Sequence, residues 1–408
     1  MSKILLLSMP SHGHMNPLLG LAAQLIKKGE EVAFFTSVEF KEAVEEIGAE
    51  FEYYKEDLNL FKKRTAAPPD SSPAAETQKP KPGLIGAFLN PVKFIDAILD
   101  DIKGRNFDYL VCSAAYPYAT VIGQILNIPV VSSYAVFATI KELMDKNTPG
   151  KGLMGLSAEF TDEFKTVRQD LIEKYQVQIP ENIIDLLFNK GDLNIIYTSK
   201  YFVPHPENYD DSFIFIGPPI FDKKYNVDFP FEKLEGKKVV YISLGTIFGN
   251  HSADLNQLFF DSFADTDAIV VMAAYDVELS KYKVPDNFII RSFVPQLELL
   301  KYATVAITHA GMNSIGDLLY HKVPFVSVPL GADQFYMANR AQELDATIVL
   351  DVDTLTPDIL TDAVEKVLTT PTYRENIEKI SDSFIEAGGY KKAVEEIFEL
   401  KKLKGLTG

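Results

Sequence analysis

The stretch Lys3-Ile4-Leu5-Leu6-Leu7-Ser8-Met9-Pro10-Ser11-His12-Gly13-His14-Met15-Asn16-Pro17-Leu18 shows the unit from which the chain is built. Ile4–Met9 is apolar at nearly every position rather than at alternate ones. A strand of that kind is buried on both faces, as in a parallel sheet covered by helices. Leu18–Lys28 then carries a helical pattern, so the segment reads strand, loop, helix. The unit recurs. Glu31–Thr36, Tyr109–Ser113 and Val130–Ser133 read as strands, and Glu39–Ile47, Phe88–Lys103 and Tyr118–Leu126 as helices. Asp57–Gly86 interrupts the series. Its centre, Ala66–Gly83, is rich in proline and poor in residues that pack, so it reads as a mobile loop or lid.

The pattern restarts in the second half. Lys238–Leu244, Ala268–Ala273, Phe288–Ile290, Val305–Thr308 and Phe325–Val328 read as strands. Helices are expected from about Asp254 and over Gln296–Lys301, Asn313–His321 and Gln334–Leu344. The proline-rich stretch Pro204–Pro230 reads as a linker. The expectation is an α/β protein of two Rossmann-like, doubly wound domains, residues 1–215 and 216–408, facing each other across a cleft. A last helix from about Tyr390 belongs either to the second core or against the first domain.

The length of 408 residues suits two domains, each able to bury its own core. With 40 basic and 57 acidic side chains the net charge is −17. Duplex nucleic acid and anionic membranes call for a basic surface, so neither is expected as a partner. The single cysteine, Cys112, excludes an intrachain disulfide and fits a reducing compartment. Ile4–Met9 is too short for a secretory core, and no run of about 18 apolar residues could span a membrane. A cytoplasmic protein is expected.

Ligands of parallel α/β sheets sit beyond the C-terminal ends of the strands. Two loops there carry chemistry. In the first, Ser11 to Pro17, Pro17 suits the first helical turn, which puts His14 just ahead of the helix, with Gly13 relaxing the backbone. An imidazole there is either a general base or a loop residue capping the helix. In the second, Thr308-His309-Ala310-Gly311-Met312-Asn313-Ser314, helix N–H groups join the side chains of His309, Asn313 and Ser314 in a cradle suited to a diphosphate. Asp317, one turn on, could accept hydrogen bonds from ribose hydroxyls.

From Ser292 to Gln334 the chain resembles the donor signature of family 1 glycosyltransferases, the UDP-sugar-dependent enzymes. The matching residues are Phe293-Val294-Pro295-Gln296, His309 to Ser314, Asp317, Val323-Pro324 and Asp333-Gln334. Gly13-His14-x-Asn16-Pro17 is similar to their acceptor-side motif, and Ser243-Leu244-Gly245-Thr246 to their second-domain entry loop. The resemblance implies the GT-B architecture and inverting transfer of a sugar, glucose above others, from a UDP-sugar. The acceptor would be a hydroxyl of a small apolar or aromatic molecule such as a flavonoid, phenol or macrolide. It assigns the base to His14 and the uracil to Phe293 and Gln296. It gives the diphosphate to His309, Gly311, Asn313, Ser314 and Thr246, the ribose to Asp317, where many relatives have glutamate, and the sugar hydroxyls to Asp333 and Gln334. Ser113 stands where many members carry an aspartate that supports the histidine. No metal or other cofactor is implied.

Phe88, Tyr116, Tyr134 and Phe137 lie in aromatic segments that read either as an apolar acceptor pocket or as core. Asp351-Val352-Asp353 has a metal-binding spacing but follows a strand, where capping of the next turn accounts for it. His12 reads as structural and Cys112 as a buried strand residue. A UDP-sugar epimerase and a non-catalytic UDP-sugar-binding protein remain as alternatives. The first would yield product without an acceptor, and the second would tolerate loss of His14.

Overall fold

The computed structural model describes residues 1–53, 87, 90–135, 158–181, 186, 189–221, 228–244, 253–274, 277–331 and 333–406. In chain order the first half comprises β1 (Lys3–Leu7), α1 (His12–Lys27), β2 (Glu31–Phe35), α2 (Lys41–Glu46), β3 (Glu50–Glu52), α3 (Pro91–Asp101), β4 (Tyr109–Ser113), α4 (Ala119–Leu126), β5 (Val130–Tyr134), α5 (Ala158–Tyr175), β6 (Leu193–Ile196) and β7 (Phe213–Phe215). The second half comprises β8 (Val239–Ser243), α6 (Ala253–Phe263), β9 (Ile269–Ala273), β10 (Phe288–Arg291), α7 (Gln296–Leu299), β11 (Val305–Thr308), α8 (Met312–Tyr320), β12 (Phe325–Ser327), α9 (Gln334–Glu343) and β13 (Thr347–Val349). Three helices follow: α10 (Pro357–Thr369), α11 (Pro371–Glu386) and α12 (Gly389–Leu403).

Among the described residues these strands form two parallel sheets, ordered β3-β2-β1-β4-β5-β6-β7 and β10-β9-β8-β11-β12-β13. Every residue of β4, β5 and β6 is buried, as in central strands of a parallel sheet covered on both faces, the polar Ser113, Ser132, Ser133 and Asn194 included. In each sheet the winding reverses beside the first strand, between β1 and β4 and between β8 and β11. The connections leave toward opposite faces there and open a crevice at the strand ends. The loops after β1 and β4, and after β8 and β11, therefore converge in pairs.

The structure corrects the sequence reading at several points. β7 lies inside the predicted linker and completes the first sheet. β3 and β13 are three-residue strands, too short to show a period. The predicted loop or lid at 57–86 lies outside the described residues. Helix α1 starts six residues earlier than expected. Ser11 is its extended N-cap, and the Ser11 carbonyl accepts from the N–H groups of His14 and Met15. His14 thus sits in the first helical turn, and Pro17 is interior. Gly13 is helical, with open space where a Cβ would go, so no backbone freedom is needed there.

Helix α12 returns to the first half and packs on α1. The Tyr390 hydroxyl donates to the Pro17 carbonyl at 3.0 Å. A Cβ on Gly20 would fall 2.3 Å from that hydroxyl, so glycine permits the approach. Lys401 Nζ meets Glu30 Oε1 at 2.6 Å, both side chains nearly buried, and the Tyr109 hydroxyl also donates to Glu30. Removing one partner of such a pair typically costs about 3–5 kcal/mol, because the other charge is left buried.

Candidate active site

In the first half of the chain, the end of β4 brings the buried Ser113 Oγ to 2.7 Å from His14 Nδ1. His14 is half-buried, and desolvation lowers its pKa to about 4. Its place in the first turn of α1 acts in the same direction, since a helix N-terminus disfavours a cation. The imidazole is therefore neutral at pH 7. A serine hydroxyl can donate or accept, so it leaves both tautomers open. Only with Nδ1–H donating to Ser113 does Nε2 carry the lone pair a base needs.

The β4–α4 loop that follows Ser113 is held by Asn189, which sequence reasoning missed. Its Nδ2 donates to the carbonyls of Ala114 (2.8 Å) and Tyr116 (2.6 Å). Its Oδ1 accepts from the N–H and hydroxyl of Thr120, both at 3.1 Å. Tyr118, the N-cap of α4, has no capping side chain and sits in the left-handed region, so Asn189 does the capping from a distance. An isolated asparagine outside any periodic segment gives no sequence signal for this.

On the other side, the left-handed residue of the β11–α8 turn is Ala310 (φ 67°) rather than glycine. Gly311 is the N-cap and has a different reason to be small. A Cβ there would lie 2.7 Å from His309 Nε2. His309 Nδ1 lies 3.3 Å from the Ser243 carbonyl at the end of β8. That oxygen can only accept, so Nδ1 carries the proton. Burial lowers the His309 pKa, against a smaller upward pull from the carbonyl. Asn313 Nδ2 reaches across the cleft and donates to the Gly13 carbonyl at 3.1 Å. The half-buried Ser314 follows it in the first turn of α8.

Gln296 Nε2 donates to Asp317 Oδ2 at 2.6 Å, and Gln296 Oε1 accepts from the Tyr241 hydroxyl at 3.0 Å. Part of the Gln296 amide is thus spent on orienting Asp317, a relay that Tyr241, unremarked in the sequence, completes. Burial pushes the Asp317 carboxyl up to about 7, although the Gln296 bond opposes this. Phe293, three residues before Gln296, is 44% exposed. Burial also raises the carboxyl of Asp333, at the N-cap of α9. Gln334 is buried, its Oε1 accepting from the N–H groups of Leu330 and Gly331.

Thr246, Phe88 and Phe137 lie outside the described residues. Tyr116 and Tyr134, weighed as acceptor-pocket residues, are core instead. Tyr116 is fully buried against Phe94, with ring centroids 5.8 Å apart, and Tyr134 is buried edge-on against Phe213 at 5.6 Å. Strand ends and loops beneath two covering layers bury aromatic rings as readily as they expose them. Asp351 accepts from the Asp353 N–H and caps a short turn. His12 stands edge-on to Phe40, and burial pushes the Cys112 thiol up to about 12. Among the described residues, no cluster of three or more His, Cys, Asp or Glu could hold a metal ion.

Residues 257–400 match the erythromycin biosynthesis protein CIII-like C-terminal domain. The whole chain is similar to two Bacillus subtilis proteins named as uncharacterised UDP-glucosyltransferases. YdhE is 34% identical, covering 99% of this chain and 100% of its own, and YojK is 31% identical, covering 99% and 98%. The chain belongs to the family 1 UDP-dependent glycosyltransferases. The crystal structure of CalG4, the calicheamicin glycosyltransferase, superposes on this glycosyltransferase with a TM-score of 0.77 over 98% of both chains at 24% identity. That likeness shows the GT-B fold. No helix among the described residues of the glycosyltransferase is long and apolar enough to cross a membrane.

Proposed function

We propose that this enzyme moves glucose from UDP-glucose to a hydroxyl of a small apolar or aromatic acceptor, with phenols and flavonoids served better than macrolide alcohols. The reaction is inverting. The acceptor O–H gives its proton to His14 Nε2, and its oxygen forms a bond to the anomeric carbon. The bond from that carbon to the diphosphate oxygen breaks on the opposite side, and UDP leaves with the electron pair. His309, Asn313, Ser314, Gly311 and the N-terminus of α8 take up the charge on the departing diphosphate, with Thr246 completing the cradle. Phe293 stacks on uracil, Asp317 accepts from the ribose, and Asp333 and Gln334 hold the sugar. Residues 1–215 carry the acceptor and 216–408 the donor, and the protein works in the cytoplasm.

The observation that carries this reading is the 3.1 Å contact from Asn313 to the Gly13 carbonyl. It supports the reading because it joins the turn between β11 and α8 to the peptide that leads into His14. A base near pKa 4 is weak, which favours acceptors whose proton leaves easily. The test is a panel of phenols, flavonoids, macrolides and simple alcohols incubated with UDP-glucose and read by mass spectrometry, with the anomer assigned by NMR. A gain of one hexose with inverted configuration on phenols is expected. Transfer with retained configuration, or none to any acceptor, would overturn it.

Ser113→Asp is expected to raise the His14 pKa, because a nearby carboxylate favours the imidazolium, and to fix the Nδ1–H tautomer. The acidic limb of the pH–rate profile should move toward neutrality, and alcohol acceptors should gain most at alkaline pH. An unmoved limb would show that residue 113 does not touch the base. Activity should also persist in excess EDTA, since His309, Asn313 and the α8 N-terminus supply the field that a divalent ion would otherwise provide. Loss that only Mg²⁺ or Mn²⁺ restores would refute that assignment.

A further inference from the structure

The hydrogen bond between the two sides of the cleft has its origin in Pro17. This residue is sixth in α1, where an N–H would normally donate to the carbonyl four residues back. Proline has no N–H, so the Gly13 carbonyl, on the peptide that leads into His14, lacks its helical donor. Asn313 Nδ2 fills that vacancy at 3.1 Å, from a residue 300 positions further along the chain. Because a carbonyl only accepts, it dictates which end of the Asn313 amide faces it. The amide is not exhausted by this bond. Nδ2 keeps a second N–H, and Oδ1 is buried without a hydrogen-bond partner among the described residues.

We propose that Asn313 is a bridging residue that positions the base. One N–H holds the Gly13 carbonyl and through it His14, while the other takes an oxygen of the donor diphosphate. A bound donor then sets the distance between the base and the sugar it serves. The missing N–H of Pro17 keeps the Gly13 carbonyl available for this contact. The inference rests on the donor-site reading above and adds a link from that site to the base.

Pro17→Ala tests it without touching either binding surface. Pro17 is buried, and its own carbonyl, which takes Tyr390, remains in alanine. The new N–H supplies the Gly13 carbonyl with a helical donor that competes with Asn313. The expected protein melts at a higher temperature, since an interior proline disfavours a helix. Yet its kcat should fall about tenfold, the worth of one neutral hydrogen bond, with KM for UDP-glucose unchanged. A residue that served the fold alone would not become more stable and slower together. The double variant Pro17→Ala/Asn313→Ala should be no slower than Asn313→Ala, because both changes break one link. Wild-type kcat in Pro17→Ala, or losses that multiply in the double variant, would overturn the proposal. Should Pro17→Ala fold poorly, Asn313→Ala decides alone. Its kcat at saturating donor must fall, and a defect confined to donor KM would sink the bridge. Failure of the donor-site reading itself looks different, since Asn313→Ala would then bind UDP as tightly as wild type.

Discussion

His14→Ala lowers turnover by about two to four decades, the range general-base catalysis usually contributes. The imidazole is held against Ser113 at 2.7 Å, half-buried and neutral, with its pKa lowered to about 4 by desolvation. Wild-type kcat at saturating donor should therefore hold from neutrality down to about pH 5 and fall below that as Nε2 takes up a proton. The alanine variant should lack this acidic limb. UDP affinity should barely change. The contact of Asn313 with residue 13 is to a backbone carbonyl, which His14→Ala leaves in place. The loss should be deepest on alcohols, whose protons are hard to remove, and shallowest on acidic phenols. Near-normal turnover on an alcohol would show that His14 is a capping residue of α1 and that the proton leaves by another route.

Much of this site was legible in the sequence because it is built where parallel sheets place their ligands. Apolar runs marked β1, β4, β8 and β11; the segments after β1 and β11 carry the two histidines, and the last residues of β4 and β8 are their partners, Ser113 and Ser243. What the sequence concealed is long-range. Pro17 looked like a helix start because proline favours the first turn, yet tertiary packing of Met15, Leu18, Leu19 and Leu21 carries the helix back to His12. Asn189 and Tyr241 act through hydrogen bonds to residues more than fifty positions away, and no local pattern records such a bond. Tyr116 and Tyr134 failed as acceptor residues for a related reason. An aromatic ring at the end of a strand has the same composition whether it faces a cleft or the underside of a helix.

His309→Ala weakens UDP-glucose binding by about tenfold to more than a hundredfold, the worth of roughly 1.5–3 kcal/mol for a hydrogen bond to a charged group. Uridine binding should change much less, because uridine lacks the diphosphate. The expectation carries a proton with it. Nδ1–H is committed to the Ser243 carbonyl, so the neutral ring presents a lone pair at Nε2, over Gly311 at the N-cap of α8. A lone pair repels a phosphate oxygen. Binding is favourable only once Nε2 is protonated, and burial keeps it unprotonated in the free enzyme. Donor binding at pH 7 should therefore take up as much as one proton. The gain in affinity from His309 is complete below its free-state pKa and is lost as pH rises through the raised pKa of the bound state. Asp317, near 7 and a carboxylate acceptor in the proposed ribose contact, pulls the other way. It serves uridine and UDP-glucose alike, so the ratio of the two affinities isolates His309. Calorimetry in two buffers of different ionisation enthalpy measures the uptake directly. Wild type should show it with UDP-glucose and not with uridine, and His309→Ala should show it with neither. Equal weakening of both ligands, with proton uptake unchanged, would mean that His309 only supports the turn between β11 and α8.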